Sequence, residues 1–170
     1  MTDIVDIETR SRMMSGIKGR NTAPEIIIRR ALHSRGFRFR IHSNSLPGKP
    51  DLLLPKYRAA IFIHGCFWHG HDCRYFKLPQ TRTEFWREKI QKNRTRDACQ
   101  INKIETAGWR VLVVWECAVR WMNRQKSELL VDLISDWLTN YSITTEISEL
   151  SLTLAKKIHQ DTEQQNKHEQ

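Results

Sequence analysis

The chain has 170 residues, 39% of them apolar and 28% charged, so it can bury a core and is neither a wholly disordered polymer nor a multi-domain array. No apolar run approaches the roughly 20 residues that cross a bilayer, and the opening MTDIVDIETRSR has no basic flank leading into an apolar stretch, which argues against a secretory signal and gives a cytoplasmic reading. Positions 1–124 carry 24 basic against 11 acidic residues, and positions 125–170 carry 4 against 8. A charge so concentrated attracts a polyanion by releasing its counterions, and nucleic acid is the first candidate, ahead of a merely soluble basic surface.

In chain order, residues 1–21 read as a basic arm, TRSRMMSGIKGR within it forming a short helix or an arm that orders on a partner. Thr22 and Pro24 open a helix over 22–35 in which Ile27, Ala31 and Leu32 recur at helical spacing, and Gly36 ends it. Arg38 to Ile41 read as a short strand. Leu52–Leu54 and Ala59–Ile63, separated by Pro55-Lys56-Tyr57-Arg58, give a strand, turn, strand signal that brings the residue after Pro50 near residues 62–64. A long helix is predicted from Thr81 to Ala107 with Gly108 as its stop, then a buried strand, RVLVVW, over Arg110 to Trp115. Ser127 caps a last amphipathic helix with Leu130, Leu133, Ile134 and Trp137 on one face. Residues 141–170 turn polar and read as a tail, disordered at its end. The core domain is therefore 22–140, an α/β fold with a mixed central sheet and helices on both faces.

Four cysteines without an export signal point to metal or thiol chemistry rather than disulfides. In CFWHGHDC, His71 and Cys73 are two apart and point the same way in extended backbone; Cys66 lies one turn earlier and Cys117 follows the RVLVVW strand. Together they make a Cys3His set suited to Zn²⁺, and a set with no open position implies a structural ion. The alternative is that Cys66 and Cys117 are buried small hydrophobes and the histidines surface residues. Cys99, inside the long helix, reads as packing.

Asp51 opens a strand and Glu25 sits early in a helix. Two carboxylates on separate elements, aimed beside a sheet, are what Mg²⁺ needs when water, backbone carbonyls and phosphate complete its shell. Taken singly, Glu25 is also explained as a helix N-terminal charge and Asp51 as a turn residue. His64 and His69 are candidates for general base or leaving-group acid.

LPGKPDLLLPKYRAAIFIHGCFWHGHDC, PQTRTEFWREKIQKNRTRD and GWRVLVVWECA, with TRSRMMSGIKGRNTAPE upstream, resemble the very short patch repair endonucleases over about residues 7–120. The resemblance implies a fold related to type II restriction endonucleases and a Mg²⁺-dependent, strand-specific nick 5′ of the thymine in T:G mismatches left by deaminated 5-methylcytosine. It implies a monomer working on double-stranded DNA, with a cytosine-5 DNA methyltransferase as functional companion. Asp51 resembles the family's metal-binding aspartate, His69 its catalytic histidine, and His64 and Glu25 its supporting residues; Cys66, His71, Cys73 and Cys117 resemble the zinc ligands. Phe67, Trp68 and Trp86 resemble aromatics that push into the base stack, Met14 an arm residue wedged from the minor groove, and Lys89 and Asn93 the readers of the mismatched pair.

A wobble pair stacks less well than a matched one, so wedging Phe67 and Trp68 costs less there and unstacking becomes selectivity; the alternative for both rings is a core contact. Trp86, Lys89 and Asn93 fall on one helical stripe that Asp97, Ile101 and Ile104 continue, so the first half of the long helix projects toward DNA and the second half packs. Asp97 faces inward to fix the tautomer of His69, or pairs with Arg94 or Arg96 on the surface. Nucleases of the wider fold continue with an acidic residue, one intervening residue and a lysine where this chain has Phe62-Ile63-His64, so no lysine acts there. At position 63 the family is associated with a metal-binding threonine; here Ile63 offers only its backbone carbonyl to Mg²⁺. Two rivals remain: a zinc-containing DNA-binding module without catalysis, and a nuclease cutting fully paired sites.

Overall fold

The computed structural model describes Asp6, Glu8, Thr9, Arg12 and residues 19–120, 124–140 and 146–156. Three short strands rich in branched and apolar side chains build the centre: β1 (Leu52–Leu54), β2 (Ala59–His64) and β3 (Arg110–Trp115). A fourth, β4 (Glu146–Ile147), completes a mixed sheet of order β1-β2-β3-β4, with β1 and β2 antiparallel and the other pairs parallel. The predicted turn between β1 and β2 is a single 3-10 turn, Pro55–Tyr57. Arg58 closes it at φ 45° and reaches across the sheet end, donating from Nε to the Gly108 carbonyl at 3.0 Å and from Nη2 to the Ala107 carbonyl at 3.1 Å.

Side chains alternate across a pleated strand, and the two cores follow that period. Leu52, Leu54, Ile61, Leu112 and Val114 face one way, against Ile28 and Leu32 of helix α1 (Ala23–Ser34) and Leu130, Ile134, Trp137 and Leu138 of helix α4 (Arg124–Thr139). Leu53, Ala60, Phe62, Val111 and Val113 face the other way, against Ile104 of helix α2 (Thr83–Thr106) and Leu46. Helices therefore cover both faces, and Val111–Val114 form an unbroken apolar run because neither face of the middle of β3 is exposed. Truncating a fully buried Leu112 to alanine at this junction costs about 2–5 kcal/mol. Between β3 and α4 lies a short helix, α3 (Glu116–Val119), so Cys117 sits on a helical turn rather than a strand end.

Two expectations are corrected. Arg38 to Ile41 do not form a strand: only Arg40 meets the sheet, in an isolated antiparallel bridge to Leu53, because the left-handed His42 (φ 53°) turns the chain away. Nor does the fold stop at residue 140: β4 pairs with β3, and a helix over 149–156 drives Leu152 into the first core. The polar composition of that stretch hides two buried side chains, Ile147 and Leu152. No helix among the described residues is long and apolar enough to cross a membrane.

Candidate active site and metal cluster

The β1–β2 hairpin sets Leu52 opposite Ile61, which carries Asp51, one residue earlier, to the end of β2. There the Ile63 amide donates to Asp51 Oδ2 at 2.7 Å, and Oδ1 has no hydrogen-bond partner among the described residues. It is the amide of Ile63, not its carbonyl, that meets Asp51. Burial, with the Glu25 carboxylate adding to it, raises the Asp51 pKa to about 6 against the opposing pull of that amide. Glu25 is 4% exposed. As a helix N-terminal charge it accepts from the Asn21 amide at 3.0 Å, from Thr22 Oγ1 at 2.9 Å and from Arg29 Nη2 at 2.5 Å, and it also lines the cleft that holds Asp51.

That cleft, of about 770 Å³, is shared by Asp51, His64, His69 and Asp97. His64, the last residue of β2, lies parallel to His69 with ring centroids 3.8 Å apart and 5° between planes. Burial, followed by the neighbouring His69, lowers the His64 pKa to about 3, so this ring is neutral at any physiological pH. His69 Nδ1 and Asp97 Oδ2 are 2.5 Å apart. Burial alone would raise Asp97, but the bond from His69 and the charge of that ring outweigh it and hold the carboxylate below its ordinary range. Both readings of Asp97 are met, since Arg96 Nη2 reaches its other oxygen at 3.2 Å. With Nδ1 committed to a carboxylate, the free nitrogen of His69 is Nε2.

The turn between β2 and residue 73 faces two ways. Cys66, His71 and Cys73 meet Cys117 from α3, and one ligand atom from each lies within 4.8 Å of the others. His71 Nδ1 is 3.6 Å from both Cys66 Sγ and Cys117 Sγ. Tetrahedral geometry with metal–sulfur and metal–nitrogen bonds of about 2.3 and 2.0–2.1 Å requires an edge of about 3.5–3.6 Å, so the four residues fit a metal ion, and no disulfide joins any of them. Cys117 accepts a bond from Cys66 and from the Glu149 amide at 3.4 Å and is lowered to about 6, whereas the same pairing, together with burial, pushes Cys66 up. His71 stacks on Trp115, with centroids 4.2 Å apart. Cys99 is exposed rather than packed.

Phe67 and Trp68 are half-buried and belong to neither core, which disposes of their reading as sheet contacts. Phe67 meets Trp86 edge-on at 5.3 Å, and the Lys89 ammonium lies 5.6 Å from the Trp68 ring and 5.4 Å from that of Trp86. Asn93 donates from Nδ2 to the Trp68 carbonyl at 2.8 Å, so α2 carries the aromatic turn. Gly70 makes the close approach possible: at φ 63° a Cβ there would stand 2.6 Å from Ile90. The same helix packs through Ile101 and Ile104, as its stripe predicts. Met14 lies outside the described residues. Sequence reasoning missed Lys49, Gln100 and Glu116, all of which line the cleft; Lys49 announces itself only through backbone geometry.

The family model for the DNA mismatch endonuclease Vsr matches residues 2–75. The DNA mismatch endonuclease Vsr of Escherichia coli (strain K12) is 44% identical over 154 residues, covering 91% of this chain and 99% of that protein. The type II nicking enzyme V.XorIIP of Xanthomonas oryzae pv. oryzae is 47% identical over 117 residues, covering 69% of this chain and 86% of that protein. The type II nicking enzyme V.NmeAIP of Neisseria meningitidis is 44% identical over 120 residues, covering 71% and 86%. Similarity that spans nearly the whole of the Escherichia coli protein, and takes in the cleft and the cysteine cluster alike, shows that the chain belongs to the Vsr family of DNA mismatch endonucleases.

Proposed function

We propose that this protein nicks one strand of double-stranded DNA 5′ of the thymine in a T:G mismatch arising from 5-methylcytosine deamination, by Mg²⁺-dependent phosphodiester hydrolysis. The observation that carries the reading is one cleft holding a desolvated Asp51 beside the bonded pair His69–Asp97. Asp51 suits a hard cation: its Oδ1 has no hydrogen-bond partner among the described residues, and its charge, buried near that of Glu25, calls for a countercharge. Asp51 and the Ile63 carbonyl would hold Mg²⁺, which supplies Lewis acidity to the phosphodiester.

His69 takes the proton of the attacking water at Nε2. Asp97 holds the ring in that tautomer and stabilises the imidazolium as it forms. His64, neutral and stacked on His69, fixes the plane of that ring without adding a competing charge. Glu25 keeps the start of α1 against the cleft. Phe67, Trp68 and Trp86 enter the base stack at the weakly stacked step, Lys89 and Asn93 read the mismatched pair, and Met14 wedges from the minor groove. Cys66, His71, Cys73 and Cys117 hold a structural Zn²⁺ that clamps the aromatic turn.

The fold is related to that of type II restriction endonucleases, with residues 1–21 as a DNA-binding arm, 22–156 as nuclease domain, since β4 and Leu152 belong to its sheet and core, and the chain's end beyond as a dispensable tail. The protein works as a cytoplasmic monomer alongside a cytosine-5 DNA methyltransferase. The test is nicking of T:G and C:G duplexes with Mg²⁺ by wild type and Asp51→Ala. Wild type should cut the T:G duplex alone and the variant neither. A DNA-binding module would leave both duplexes whole with either protein, and a nuclease for fully paired sites would cut C:G.

A further inference from the structure

The loop that delivers Asp51 reads Pro47-Gly48-Lys49-Pro50, and two successive residues of it have left-handed backbone, Gly48 at φ 73° and Lys49 at φ 53°. A positive φ is uncommon for any residue with a side chain, and lysine has none of the local hydrogen bonding that lets asparagine or aspartate tolerate it. Proline at the next position further restricts the backbone of Lys49. The loop backbone lies close over the second core: a Cβ on Gly48 would stand 3.1 Å from Gln100 Cβ and 3.2 Å from Phe62 Cζ, tighter than an ordinary contact. Strain of this kind persists where the surroundings dictate it, and it clusters at working sites.

The strained residue is exposed, lines the cleft, and stands two positions from Asp51. The cleft is rich in carboxylates, Glu25, Asp51, Asp97 and Glu116. Three of these have a cation of their own: Arg29 for Glu25, Arg96 with His69 for Asp97, and Arg120 for Glu116 at 3.7 Å. Lys49 forms no ion pair among the described residues. A protein that places a strained, unpaired ammonium at the mouth of its reaction cleft holds a positive charge ready for an anion that arrives from outside.

We propose that Lys49 contacts the scissile phosphodiester, offsetting the charge on its non-bridging oxygens while Asp51 and His69 act on the other side of the phosphorus. The assignment rests on the nicking function proposed above. It supplies a cation that β2 lacks, since Phe62-Ile63-His64 offers none beyond a neutral imidazole. It also explains why a residue ill suited to this backbone occupies the position.

The experiment is single-turnover nicking of a T:G duplex, with duplex affinity measured in parallel, for wild type, Lys49→Met, Lys49→Gly and Lys49→Arg. Glycine relieves the backbone and removes the charge, methionine removes the charge alone, and arginine keeps it. Methionine and glycine variants should nick about 100-fold slower, the usual effect of losing one preorganised charge contact to the reacting group. Their duplex affinity should stay within about threefold of wild type, and the arginine variant should recover most of the rate. Either neutral variant nicking at the wild-type rate overturns the assignment, as does a loss of affinity that matches the loss of rate, which would make Lys49 an ordinary backbone anchor. If Lys49→Met is misfolded, the glycine variant, whose backbone is the more comfortable there, decides the question. Wild type failing to nick any mismatched duplex overturns the functional reading and this assignment together, whereas wild type nicking with the neutral variants keeping pace overturns Lys49 alone.

Discussion

Asp51→Asn should make the Mg²⁺-free protein more stable while abolishing nicking, and the gain should depend on pH. Burial and the neighbouring Glu25 raise the carboxyl from 3.8 to about 6, about two pKa units, or roughly 3 kcal/mol held against the folded state when the group is ionised. Because the folded pKa lies above the unfolded one, the folded protein binds more protons between pH 3.8 and 6. Stability therefore falls as pH rises through that window, and the full penalty is present above it. Asparagine keeps an oxygen for the Ile63 amide and carries no charge. At pH 7.5 its thermal midpoint should exceed that of wild type by roughly 6–12 °C, taking 2–4 °C per kcal/mol for a chain of this size. At pH 4 the difference should shrink to about 2 °C or less. Adding Mg²⁺ should raise the wild-type midpoint and leave the variant unmoved, since only a ligand bound by the folded state stabilises it. The assay is thermal unfolding at both pH values, with zinc retained and Mg²⁺ absent or titrated. No gain at pH 7.5, or a gain undiminished at pH 4, would refute the claim that the cleft holds a charge awaiting its countercharge.

Three further outcomes follow from the same geometry. Metal analysis should find about one zinc per chain, and reloading the stripped protein should release protons, because Cys66 holds its thiol proton in the metal-free cluster; an active, zinc-free protein would refute the four-ligand assignment. Trp68→Ala should lower the ratio of T:G to C:G nicking about tenfold or more with little change in salt dependence, measured as relative single-turnover rates; an unchanged ratio would remove the wedge. Deleting 157–170 should leave nicking intact, whereas deleting 146–170 removes β4, Leu152 and the Glu149 amide that bonds Cys117. The longer deletion should lower the thermal midpoint by about 10 °C or more, and equal behaviour of the two truncations would mean that the last strand carries no load.

Much of this was legible from residues alone, for a physical reason: the elements that bury most apolar surface write the clearest periods. Leu52–Leu54, Ala59–Ile63 and RVLVVW each carry alternate residues into two cores, and Trp86 through Ile104 mark one stripe of α2. The cysteine cluster was legible because few chemistries need Cys, His and Cys at that spacing, and Asp97 because its place on the stripe turns it inward. What escaped is what depends on contacts distant in sequence. β4 is two residues long with one buried side chain, and only pairing with β3, more than 30 positions earlier, makes it a strand. Arg38 to Ile41 has strand composition but lacks a partner beyond Leu53. Lys49 leaves no trace in composition or period, because what marks it is a left-handed φ and a place in the cleft, and both depend on how the loop folds.

The segment from His64 to Cys73 joins the two chemistries. His64 and His69 face the cleft, Phe67 and Trp68 face α2 and its cations, and Cys66, His71 and Cys73 face the metal cluster. Ten residues cannot bury enough apolar surface to hold three such directions unaided, and among them only Cys66 and His64 are buried. Order must come from outside the segment, and the structure supplies three fastenings: Cys117 from α3, the Asn93 amide on the Trp68 carbonyl, and Asp97 on His69. Two of the three come from one face of α2, so a shift of that helix against the sheet moves the aromatic turn and the His69 imidazole together. Under the function proposed above, that shared helix links the rings that enter the base stack to the proton acceptor, and the cut depends on the mismatch rather than on binding alone.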